Sequence, residues 1–219
     1  MLENMSSVRF RHLKLLRNKE KTFAPNPYNF NILSNPIGST VMGLVIQAYS
    51  KLKLEKPLTD EEMEEFWENF DEEDEDAVEE FLETHVVVDT YPEFPHQAEG
   101  LVQGIYKRLE GSEEFEVESM GYSGYNNWRT QLWQLANDVD EDIISENPDE
   151  WKDKPFFLLV HFPDCEGTIS TAACAKLHAQ FVEYREKAEE LDDPGFLETY
   201  DEIMEALELA KDDGVLIFG

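Results

Sequence analysis

The chain has little cysteine, little positive charge and no long apolar run. Two cysteines in 219 residues, Cys165 and Cys174, exclude a disulfide framework, and a reducing compartment fits best. No stretch approaches the ~18 apolar residues needed to span a membrane. The basic start (Arg9, Arg11, Lys14, Arg17) is not followed by a continuous apolar stretch, so no secretory leader is expected. No internal repeat is present. Together these absences predict a cytoplasmic protein.

The shortage of positive charge is uneven. Lys and Arg number 18 against 49 Asp and Glu, a net charge of −31. Residues 1–55 hold eight basic and three acidic side chains, and residues 56–219 hold ten and forty-six, so a +5 segment precedes a −36 body. Such a body repels nucleic acid and anionic membrane and attracts basic surfaces. Residues 1–55 are therefore read as a basic N-terminal arm and helix, and residues 56–219 as an acidic α+β body. The aromatic residues (14 Phe, 8 Tyr, 4 Trp) supply a core and argue against disorder.

The apolar pattern predicts a helix-rich α+β single domain with a small sheet. Residues 23–39, rich in Pro and Asn, read as a loop. Val41, Leu44, Val45, Ala48, Tyr49 and Leu52 have helical spacing, which predicts a helix over 39–53. Thr59 is a good N-cap for one or two acidic helices over 60–83. His85–Asp89 and Phe115–Met120 read as strands. Leu101, Val102, Ile105, Tyr106 and Leu109 predict a helix, as do Trp128, Leu132, Leu135 and Val139 after the Gly121–Gly124 turn. Pro155–Phe162 reads as a buried strand. Helices over 170–191 and 196–211, broken at Asp193-Pro-Gly195, lead to a closing strand at Val215–Phe218.

Three features carry candidate chemistry. The first is segment 60–80, with fourteen Asp and Glu in twenty-one residues. Helix neighbours three and four apart sit ~5–6 Å from each other, so Asp60, Glu61, Glu64, Glu65, Glu68, Asp71, Glu72 and Glu75 would form a regular row of carboxylates. Duplex DNA also carries closely spaced negative charge. The row therefore suits the basic surface of a nucleic-acid-binding protein, although a solvated helix face is the commoner fate of such a run, and high-salt adaptation also favours acidic surfaces. Trp133 falls off the Trp128/Leu132/Leu135 stripe, which leaves a second packing interface or an exposed partner-binding anchor.

The second feature is His161-Phe-Pro-Asp164-Cys165-Glu166-Gly167-Thr168. Asp164 and Glu166 have the chemistry to hold a divalent cation or act as acid and base, and Cys165 that of a nucleophile near a helix N-terminus. This is the basis of an alternative reading as a hydrolase or metal-dependent enzyme. The plainer reading makes Asp, Glu and Thr helix caps and gives Gly167 an unusual backbone angle. His161, Cys165, Cys174 and His178 are four potential zinc ligands, but their spacing matches no standard zinc module, and Cys174 flanks the core face. The third is Gly121-Tyr-Ser-Gly124, which lacks the lysine of a phosphate-binding loop and reads as a cap by Ser123. No cofactor is expected.

The stretch Pro155–Gly167, the helix after it and the ending Asp212–Phe218 resemble a group of uncharacterised bacterial and phage proteins. The apolar run leading into Asp164-Cys165-Glu166-Gly167 carries the resemblance, over about half the chain. The group has no assigned activity, so no residue role follows from it. It implies a phage or mobile-element origin and, for an acidic protein, a counter-defence setting. The leading expectation is an acidic, non-enzymatic protein that binds a basic, nucleic-acid-binding protein, without binding nucleic acid or membrane itself. An immunity protein against a basic toxin fits the same charge.

Overall fold

Alternation governs residues 44–49. Leu44, Ile46 and Ala48 are buried while Val45 and Gln47 are half-exposed, so this stretch is strand β1 (Leu44–Tyr49). The helix expected over 39–53 is thus corrected for its described part. The helical reading took in Leu44, Val45 and Ala48, but Ile46 completes a two-residue period, and tertiary pairing decides between them. The computed structural model describes residues 44–70, 75–137, 148–162 and 167–219.

Six further strands follow: β2 (Leu52–Pro57), β3 (His85–Val88), β4 (Gly104–Arg108), β5 (Glu114–Met120), β6 (Gly167–Ser170) and β7 (Val215–Phe218). The helices are α1 (Asp60–Phe70), α2 (Glu75–Thr84), α3 (Tyr122–Asn137), α4 (Pro148–Trp151), α5 (Phe157–Val160), α6 (Thr171–Glu190) and α7 (Pro194–Ala210). The described residues therefore form the helix-rich α+β body that the pattern implies, with two antiparallel sheets in place of one. The larger has the order β5-β1-β7-β6 and the smaller β2-β4-β3.

Two strand pairs run from one sheet into the other. β1 passes to β2 through Ser50 and Lys51 (φ 51°), and β4 passes to β5 through residues 109–113. Ser112 Oγ donates to the Ser50 carbonyl at 2.6 Å, and Glu113 N–H donates to Ser50 Oγ at 3.0 Å. The turn after α7 closes the junction: Lys51 and Leu52 N–H donate to the carbonyls of Asp212 and Asp213 at 2.7 and 2.8 Å. Gly214 is required here, because a Cβ would collide with the Tyr49 carbonyl oxygen and lie 2.8 Å from the Tyr49 carbonyl carbon.

Helices α6 and α7 pack on each other, and α7 lies across β1 and β5. Ser170 caps α6, its Oγ accepting from Ala173 N–H at 3.3 Å, and Asp193 caps α7 through Gly195 and Phe196 N–H at 3.1 Å. Trp128, Phe156, Phe181, Phe196 and Tyr200 build the main core between these helices and the larger sheet. Tyr49, Leu52, Val86, Val88, Tyr106 and Val215 fill a smaller core at the junction of the sheets.

Two more expectations are corrected. The helix expected from Leu101 to Leu109 is instead strand β4 at Gly104–Arg108, where Tyr106 and Ile105 pair with both β2 and β3. Pro155–Phe162 contains the single helical turn α5 where a strand was expected. Its residues 156–160 are all buried, and an apolar run covered on every side has no period to read. Phe156 enters the turn with φ 64°, held by Gln180 Oε1, which accepts its N–H at 2.9 Å. The division after residue 55 falls inside β2, so residues 44–55 belong structurally to the acidic body. Among the described residues no helix is long and apolar enough to cross a membrane.

Candidate functional site

The acidic segment folds as a helix pair inserted between β2 and β3. Thr59 and Glu62 form a capping box: Thr59 Oγ1 accepts from Glu62 N–H at 3.2 Å, and Glu62 Oε2 accepts from Thr59 N–H at 2.9 Å. The inner stripe of α1 is aromatic. Phe66 and Phe70 stack at 5.1 Å, Trp67 meets Phe70 edge-on at 5.5 Å, and both phenylalanines lie within 6 Å of Phe81 on α2. Phe70 is buried, as are Met63 on α1 and Val78 on α2.

With that face inward, the carboxylates must face out. Asp60, Glu61, Glu64, Glu65 and Glu68 are all exposed. Asp60 accepts from Gln103 Nε2 at 3.1 Å. Glu61, Glu64 and Glu65 have no ion pair among the described residues. Glu75 opens α2, whereas Asp71 and Glu72 lie outside the described residues.

Trp133 is not an exposed anchor. It is fully buried in the main core and meets Trp151 edge-on at 6.0 Å, which makes it the second packing interface: it carries α4 against α3. Ser123 falls inside the first turn of α3, ahead of which Gly121 accepts from Gly124 and Tyr125 N–H.

Asp164, Cys165 and Glu166 lie outside the described residues, but the segments on either side are held firmly. Arg129 Nη1 donates to the Phe162 carbonyl at 2.7 Å, and Gly167 (φ 129°) pairs with Phe218 across the sheet. Gln97 is buried, and its Nε2 donates to the Leu158 and His161 carbonyls at 3.2 and 2.6 Å. The expected backbone role of Gly167 thus holds, while the cap of α6 is Ser170 and Thr168 sits in β6.

The three described members of the zinc set do not share a cluster. His161 stacks on Phe157 at 4.9 Å, and burial, followed by the nearby His96, holds its pKa below the ordinary value. Cys174 is fully buried, its Sγ lies 3.6 Å from the Ile169 carbonyl, and burial pushes its thiol pKa up, away from the thiolate a metal would need. His178 has both ring nitrogens engaged, with Nε2 2.7 Å from Glu208 and Nδ1 3.4 Å from Lys211 Nζ. Burial, then Lys211, keeps its pKa low, and the Lys211 hydrogen bond lowers that of Glu208.

An open groove of about 870 Å³ runs along the junction of the two sheets beside the end of α7. Lys51, Arg108 and Lys211 line it together with Glu113, Glu114, Glu205, Glu208 and Asp212. Its cations are already engaged: Arg108 pairs with Glu114 at 2.9 Å, Lys211 pairs with Glu208, and Lys51 donates to the Gly111 carbonyl at 3.1 Å. Sequence reading missed this groove because residues distant in the chain assemble it. Comparison with family models, with curated proteins and with solved structures gives no match to this chain.

Proposed function

We propose that this chain is an acidic, non-enzymatic binding protein that occupies the basic surface of a nucleic-acid-binding partner, with the carboxylates of α1 standing in for phosphates. One observation carries the reading. Glu61, Glu64 and Glu65 are exposed, stand three and four residues apart on one helix and have no ion pair among the described residues.

The helix makes the row regular. At ~1.5 Å of rise per residue, carboxylates three and four apart repeat every ~4.5–6 Å, somewhat wider than the ~3.4 Å charge spacing of one DNA strand. The aromatic stripe behind them gives α1 a packed inner face, and the capping box fixes its first turn. A rigid anionic row of this kind loses less entropy on docking than a loose acidic tail.

Affinity purification from the native host tests the reading. The intact protein should retain one basic partner at low salt and release it steeply as salt rises. Replacing Glu61, Glu64, Glu65 and Glu68 with Gln should abolish capture. Retention that is flat between low and high salt, or unchanged in that variant, overturns the reading.

A further inference from the structure

Cations are scarce on this body, so the ones left without a partner are informative. The described residues contain twelve Lys and Arg. Eight are engaged through a side-chain hydrogen bond, ion pair or ring contact: Lys51, Arg108, Arg129, Lys152, Lys176, Arg185, Lys187 and Lys211. The four with none among the described residues are Lys53, Lys56, Lys107 and Lys154. Three of these four share one face of the smaller sheet.

The register places them there. Lys53 on β2 lies directly opposite Lys107 on β4, and Lys107 lies opposite His85 on β3. Residues opposite each other in an antiparallel pair point to the same side. A β-bulge between Leu54 and Lys56 then sets Lys56 opposite Ile105, which shares the Lys107 side of β4. Without that extra residue Lys56 would point to the other face. Leu52, Val86 and Tyr106 occupy that other face and are buried. Strands ~4.8 Å apart bring the three lysines together on a patch about two strands wide. His85 bounds the patch, with Nε2 held by Glu55 at 2.9 Å, Nδ1 by Thr84 at 2.8 Å, and its ring stacked on Phe81 at 4.7 Å.

Like charges directly opposite each other destabilise a sheet. A plain structural account covers part of the arrangement: β2 is an edge strand, and lysines, a bulge and a proline such as Pro57 protect edges from pairing with other chains. It does not cover Lys107, which sits on the central strand β4 and faces Lys53. In a chain with 49 acidic residues, a carboxylate opposite Lys107 would have been easy to place.

We propose that Lys53, Lys56 and Lys107 form a binding site for a compact phosphate-class oxyanion. Three ammonium groups with no guanidinium among them suit a small, multiply charged anion, which they hold as point charges. The ligand is compact because of what surrounds the patch. The carboxylates of α1 begin at Asp60, three residues beyond Pro57, so an extended polyanion would run onto them. Charges farther away than the ~8 Å Debye length at physiological salt contribute little, so groups close to the patch decide what it binds. Glu55 opposes an anion at the patch, but its carboxylate is held by His85. This site is separate from the α1 carboxylates and does not depend on the partner reading.

Titration of the full chain with sodium pyrophosphate, and separately with inorganic phosphate, at constant ionic strength tests it by backbone amide shifts. Saturable shifts centred on residues 53, 56 and 107 are expected, with pyrophosphate the tighter ligand. Lys107→Gln should weaken binding about tenfold, Glu55→Gln should strengthen it, and Lys154→Gln should leave it unchanged. Non-saturable shifts, shifts that sulfate reproduces in full, or undiminished binding by the double variant Lys53→Gln, Lys107→Gln would overturn the proposal. These are exposed strand positions, and an amide spectrum in the native pattern shows that each variant is folded.

Discussion

Neutralising Glu64 and Glu65 should make the protein more stable. Between Asp60 and Glu68 six like-charged pairs stand three or four residues apart, and all six include Glu64 or Glu65. Each such pair destabilises a helix by ~0.2–0.5 kcal/mol, so together they amount to about 1–3 kcal/mol. The side chains are exposed and salt screens them, which reduces the gain at physiological salt to about 1 kcal/mol. Glu and Gln have similar helix propensity, and the Thr59–Glu62 capping box is untouched. The double variant Glu64→Gln, Glu65→Gln should therefore resist urea better than the parent, and the difference should shrink as salt is added. Because the aromatic face of α1 packs on Phe81 of α2, hydrogen exchange at α1 amides reads the gain even if the helix pair opens before the rest. The same variant should lose affinity for a basic partner. A variant no more stable at low salt, or a gain that salt does not diminish, refutes the reasoning that these carboxylates are kept at the expense of stability.

Other outcomes follow from named contacts. His161 and His178 are held below the ordinary histidine pKa, so the unfolded chain takes up protons more readily than the folded one. Stability should be full above about pH 6.5 and fall as the pH drops through that value, and His161→Gln should flatten the slope of urea midpoint against pH. Gly214→Ala should destabilise by more than about 4 kcal/mol, beyond ordinary single substitutions, since the backbone of Tyr49 and Ala210 blocks a Cβ; a thermal melt close to the parent's would contradict this. Cys174 should stay unmodified by a thiol reagent in the native protein and react once urea unfolds it, as peptide mapping by mass would show. Trp133→Ala should destabilise by ~3–5 kcal/mol, which denaturant midpoints will measure.

Elements with local signals were legible in the sequence. The Thr59 cap of α1, the aromatic stripe of α1, the Asp193 break between α6 and α7 and the β7 strand each follow from neighbouring residues alone. Residues 44–49 and 104–108 were not legible as strands, because their apolar spacing fits a helix and only partners far along the chain select the strand. α5 failed for the opposite reason, being buried all round. The acidic row was visible at once, since charge needs no fold to be counted. The lysine patch was hidden, because it depends on a bulge and on the register of three strands.

The place of β7 has a consequence for how the chain is made. It lies between β1 and β6, with Ile46 opposite Phe218, yet the ribosome adds it after every other described element. Translation at ~5–20 residues per second keeps β1 waiting on the order of ten seconds or more for that neighbour. Throughout that interval Leu44, Ile46 and Ala48, buried in the finished protein, lack their cover, and one edge of β1 stands open. Most of the carboxylates emerge during the same interval. Mutual repulsion between nascent chains on one polysome would then keep those open edges apart until β7 arrives.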